Sequence, residues 1–163
     1  MDELVKKISS YHIFNYLIPG VIFAFLTDAL FDYKFKFVQD STVIGLFFYY
    51  FLGSIISRVG SLTSPLIDFV FRIKKENYVN YIVAEKQDVK IEVLTEINNM
   101  YRSFYSMFLI INMLNLKNKL HDDSSNIYQT TGLILAFLIY VFSYKKQTGF
   151  IVKRVKKYTA SNQ

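Results

Sequence analysis

The chain has 163 residues, enough for one domain by length alone, and 52% of them are hydrophobic, above the roughly 45–50% of soluble chains. It contains no cysteine, which excludes disulfides, thiolate metal sites and a cysteine nucleophile. The net charge is +6, and the cations fall between long apolar blocks. That distribution reads as lysines and arginines gathered at the cytoplasmic face of a membrane near anionic lipid, in preference to nucleic-acid binding. The richness in Phe, Tyr, Ile, Lys and Asn points to an AT-rich bacterial genome.

The opening MDELVKKISSYHIF does not read as a signal peptide, because Asp2 and Glu3 precede the lysines and no small-residue cleavage site follows, so the first span is expected to be retained. Ile8 to Thr27 is an uncharged window long enough to cross a bilayer. Pro19-Gly20 lies within it and predicts a kink or short break, a hinge candidate whose freed carbonyl has to face protein or water. In the connector, Phe31, Tyr33, Phe35 and Phe37 alternate with Asp32, Lys34 and Lys36, which predicts an extended segment with its aromatics on one side.

The second span, Ser41 to about Leu62, carries no charge before Arg58. Gly45, Gly53, Ser57, Gly60 and Ser61 recur at helical spacing, the pattern of a face cut down for close packing against other helices. Pro65 is expected to stop or bend this helix. Residues 65–100 predict helical cytoplasmic extensions of spans two and three. Their apolar face comprises Leu66, Ile67, Phe69, Val70 and Ile73, and their mixed-charge run comprises Glu85, Lys86, Asp88, Lys90, Glu92 and Glu96. A third span over about 98–116 contains Arg102, Asn112 and Asn115, and a fourth over about 125–144 is uncharged. Lys145, Lys146, Lys153, Arg154, Lys156 and Lys157 then form a basic tail over 145–163, suited to anionic lipid or a cytosolic partner.

The fold expected is therefore all-α, a single integral membrane four-helix bundle over residues 1–163 with spans at about 11–30, 41–62, 98–116 and 125–144. Four crossings put 15 of the 19 Lys and Arg on the side of both termini, which the positive-inside rule assigns to the cytoplasm.

No catalytic constellation has a specific pattern. The two histidines, His12 and His121, are separate, and His121-Asp122-Asp123 reads as a solvated turn instead of a cation site. The Arg-x4-His ribonuclease motif is absent: Thr63, Asn77, Met107 and Thr159 stand where histidine would follow Arg58, Arg72, Arg102 and Arg154. No metal, cofactor or catalytic residue is expected. Arg58 is either an interfacial anchor or, if its small-residue neighbours meet symmetry mates, one member of a cationic ring at a channel mouth.

Leu17-x-Pro19-Gly20 followed by Val21, Ile22 and Phe23, with a second span ending aromatic-x-Leu52-Gly53-x4-Arg58-x-Gly60, resembles small four-span bacterial inner-membrane proteins associated with anti-phage defence, such as the membrane subunit of Kiwa and the membrane accessories of type VI CRISPR loci. The resemblance covers roughly residues 12–62. It implies a membrane component that perturbs or senses the envelope during infection. The resulting expectation is a homo-oligomeric pore-like effector or envelope sensor. The alternative is an adaptor that presents residues 65–100 and the basic tail to a cytosolic partner.

Overall fold

A computed structural model describes residues 11–121 and 126–160. It is all-α, with five helices: α1 (Ile13–Leu30, opening on a π-helical turn), α2 (Thr42–Val70), α3 (Tyr78–Gln87), α4 (Val89–His121) and α5 (Ile127–Ala160). The four long helices pack as antiparallel neighbours. α1 lies on α2, α2 on α4, and the α4–α5 pairing is the most extensive.

Among the described residues, only α1, α2 and α5 are long and apolar enough to cross a membrane. The expected four-span bundle is thereby corrected: α4, which contains the anticipated third span at 98–116, does not qualify. Its polar content is the reason. Asn98, Ser103, Ser106 and Asn115 on this helix are all buried. Arg102 lies among them, and Lys117 and Lys119 follow. The cytoplasmic placement of both termini rested on four crossings, so that premise is gone. Lys6, Lys7, Asp122 and Asp123 lie outside the described residues.

α4 is held by polar contacts to both neighbours. The Ser106 hydroxyl donates to the Ile56 carbonyl at 2.8 Å and the Tyr105 hydroxyl to the Gly60 carbonyl at 3.1 Å, both on α2. Toward α5, Asn112 donates to the Leu133 carbonyl, Asn115 to the Thr130 hydroxyl and Asn98 to the Thr148 hydroxyl. Buried polar groups of this kind are costly without partners, so these bonds fix the register of α4. Apolar packing fills the spaces between them: Met107 and Ile111 are fully buried with Phe23, Ile56 and Leu133, and Tyr105 packs with Val141 and Tyr144.

Pro65 does not stop α2, which runs on to Val70. Proline supplies no N–H to the carbonyl of Ser61, and the Ser64 hydroxyl donates to that carbonyl instead, at 3.1 Å. Pro19 follows the π turn Ile13–Leu17, whose wider backbone accommodates the ring where an α-turn would clash.

The connector 31–41 forms no strand, and the alternation appears in burial only in part: Phe31 is buried, Tyr33 and Phe37 are half-buried, and Asp32, Lys34 and Lys36 are exposed, but Phe35 is exposed as well. Asp28 at the end of α1 clamps it, accepting the Phe37 and Val38 amides at 2.9 Å each. The basic segment 145–160 continues the α5 helix. Ala84, Ile91, Ile151 and Val155 join α3, the start of α4 and the end of α5 in a third apolar cluster. Of the apolar face expected at 66–73, Ile67 and Ile73 are buried while Leu66, Phe69 and Val70 are exposed.

Candidate functional site

The small residues of α2 meet helices of their own chain. A Cβ on Gly53 would sit 1.7 Å from the Tyr16 carbonyl oxygen of α1, and one on Gly20 1.8 Å from the Tyr49 carbonyl oxygen of α2. The α1–α2 crossing is thus made backbone to backbone, with one glycine on each side. Gly60 faces α4, where an added Cβ would come within 3.0 Å of the Arg102 carbonyl oxygen and 3.1 Å of the Ser106 Cβ. Ser57 is buried beside it. Ser61 is half-buried and donates to the Ser57 carbonyl at 3.2 Å. Gly45, near the start of α2, is covered by its own neighbour's ring, that of Tyr49. Pro19 and Gly20, the hinge candidates, are both buried at this crossing.

The same arrangement opens a cleft where α1, α2 and α4 meet, with a volume of about 610 Å³, within the roughly 300–1,000 Å³ of small-ligand sites. α2 supplies Ser54, Ser57, Arg58 and Ser61 to it, and α4 supplies Arg102. The other wall is aromatic: Tyr11, His12 and Tyr16 precede or open α1 and meet Tyr50 of α2. Tyr16 and Tyr50 are edge-to-face at 5.5 Å between ring centres, and the Tyr50 hydroxyl and His12 Nδ1 share a hydrogen bond of 2.9 Å. Burial, and then the neighbouring Tyr16, push the Tyr11 hydroxyl above the ordinary phenol range, so it remains a neutral donor.

Two arginines therefore line one cleft whose described lining contains no carboxylate. Arg58 is exposed. The Nε of Arg102 is buried with no hydrogen-bond partner among the described residues. Glu96 lines an adjoining cavity, of about 190 Å³, with Tyr11 as the shared wall. The electrostatic character of the larger cleft is that of an anion site. Arg102 was legible only as a charge interrupting an apolar run; its position opposite Arg58 depends on the α2–α4 register.

The remaining candidates lie elsewhere. Lys145 donates to the Phe71 carbonyl at 2.8 Å. Lys146, Lys153, Lys156 and Lys157 are exposed along α5. Arg154 instead pairs with Asp88, whose side chain is 8% exposed. The carboxylates at 85–96 are dispersed: Glu85 accepts from the Tyr81 hydroxyl at 2.7 Å, Asp88 pairs across to α5, and Glu96 faces α1. Among the described residues no three His, Asp or Glu side chains gather as a metal site would require.

The Asp88–Arg154 pair gives a pH dependence with a definite sign. The Arg154 guanidinium, with help from the Lys90 amide, holds the Asp88 carboxyl below its usual range. A carboxylate depressed in the folded state contributes stability above its unfolded pKa, near 3.9, and loses that contribution as pH falls through the lower folded value. Amide exchange in α3 is thus expected to accelerate as pH is lowered past that range, after correction for intrinsic exchange. Asp88→Asn should already be fast at neutral pH and lack the acid-dependent step.

Comparison with protein-family models, with curated proteins and with solved structures returns no match.

Proposed function

We propose that this multi-pass helical membrane protein is an envelope sensor of the bacterial inner membrane, serving anti-phage defence, and that it works without forming a pore. The observation that carries this reading is the use of the α2 small-residue face. Gly53 packs on α1 and Gly60 on α4 of the same chain, which favours a cleft for Arg58 within one chain over a ring of symmetry mates. The defence setting follows from the resemblance of residues 12–62. Self-association, where it occurs, uses the exposed apolar side of α2, which includes Phe47, Phe51 and Leu62.

The test is reconstitution of the purified chain in vesicles, with ion flux and particle mass both measured. The sensor reading expects no conductance, with or without an oligomer. A conductance that is present in the natural chain and lost in Arg58→Gln overturns it in favour of a pore.

A second reading, an adaptor for a cytosolic partner, is favoured by the lysines exposed on the continuous α5 helix beside α3. It expects a soluble acidic protein to co-purify, and replacement of Lys146, Lys153, Lys156 and Lys157 by glutamine to release it. Retention of the partner by that variant counts against it.

A further inference from the structure

We infer that the cleft between α1, α2 and α4 holds the phosphate of an anionic lipid headgroup. The inference rests on the sensor reading and names what is sensed. Three observations converge on it.

The first is chemical. Arg58 and Arg102 line the same cleft, and its described lining offers hydroxyl and imidazole groups with no competing carboxylate. Neither arginine forms an ion pair among the described residues. Guanidinium groups bind phosphate oxygens through paired, charge-assisted hydrogen bonds. The Nε of Arg102 is buried with no hydrogen-bond partner among the described residues, so the protein leaves that guanidinium unsatisfied.

The second is depth. Arg58 follows the 17 uncharged residues 41–57. At about 1.5 Å per residue these traverse roughly 25 Å, close to the thickness of the hydrocarbon core. His12 immediately precedes the first residue of the α1 span. Because α1 and α2 run antiparallel, both markers lie at the same level, where headgroup phosphates reside.

The third is the surface beside the cleft. Ile55 lines it and is 44% exposed, and Phe51 and Phe14 nearby on α2 and α1 are 60% and 50% exposed. A lipid whose phosphate occupies the cleft lays its acyl chains along these side chains. A soluble phosphate makes no use of them.

The experiment places the full chain in phosphatidylcholine nanodiscs doped with phosphatidylglycerol and measures the lipid retained by native mass spectrometry after gentle release. A parallel arm uses phosphatidylcholine alone with inorganic phosphate in the buffer. Phosphatidylglycerol should be retained selectively. Arg58→Gln and Arg102→Gln should each reduce retention by about tenfold or more, and Lys34→Gln, at an exposed position of the connector, should leave it unchanged. Arg58 is exposed, so its replacement tests binding without a folding ambiguity, and helix content by circular dichroism verifies both variants. Unchanged retention in the Arg58→Gln, Arg102→Gln double variant overturns the site. Displacement of the lipid by inorganic phosphate overturns the lipid as its source. A chain that conducts ions yet retains the lipid loses only the sensor reading; one that neither conducts nor retains loses only this assignment.

Discussion

Gly53→Ala should destabilise the protein by more than about 3 kcal/mol, a large effect for the addition of one methyl group. The new carbon would lie 1.7 Å from the Tyr16 carbonyl oxygen and 2.5 Å from its carbon. Both obstacles are backbone atoms of a helix, so no side-chain rotation relieves the clash. α1 and α2 have to part, which also opens the Gly20–Tyr49 contact and removes one wall of the arginine cleft. Helix propensity acts in the opposite direction, because alanine is favoured over glycine within a helix. Gly149→Ala provides the contrast. It lies within α5 with nothing within 4 Å of the added carbon and no positive φ, so it should stabilise by about 0.5–1 kcal/mol. Thermal unfolding in mild detergent, followed by circular dichroism, should move the two midpoints in opposite directions. Equal midpoints would mean that α1 and α2 do not cross at Gly53.

Ser106→Leu should release α4 from α2. Ser106 is fully buried, and its hydroxyl is bonded to the Ile56 carbonyl. Its Cβ also lies against the bare face of Gly60. Leucine removes the bond and inserts a branched side chain where the helices nearly touch, for a combined cost of about 3 kcal/mol or more. Because α4 lacks the apolarity of a membrane span, its seat depends on such contacts. Amide exchange over residues 97–116 should therefore accelerate more than exchange in α1. Met113→Leu, at a position on α4 that is 62% exposed, should change stability by no more than about 0.5 kcal/mol. If Ser106→Leu behaves like Met113→Leu, the α2–α4 register described above is wrong.

These two positions show what the sequence makes legible. The periodic small residues of α2 announce a close contact, because nothing else explains bare positions one helical turn apart. They cannot name the partner: whether the opposing backbone is Tyr16 of the same chain or a copy of it is a matter of tertiary register. The error over α4 has a different physical origin. A window broken only by Arg102 resembles a span when charges alone are counted, yet its asparagines and serines also cost free energy in hydrocarbon when unpaired. They pair with α2 and α5, as Asn112 does with the Leu133 carbonyl, and only the assembled bundle reveals those partners. Likewise Pro19 signals an irregular turn, but not its π form, with Asn15 buried within it. Arg58 was visible as a charge; its pairing with Arg102 in a single cleft required the fold.

The Asp28 clamp has a consequence for the order in which the molecule is built. Its bonds to Phe37 and Val38 close the short connector, and the Gly20–Tyr49 and Tyr16–Gly53 contacts extend that closure along α1 and α2. The clamp joins residues only 9 and 10 apart, where loop closure costs little entropy and contacts form early, and the glycine contacts can then zip outward from it. The amino-terminal hairpin can therefore mature while the ribosome is still adding later residues. α4 then arrives to find the carbonyls of Ile56 and Gly60 already presented as a template, and α5 closes over it last.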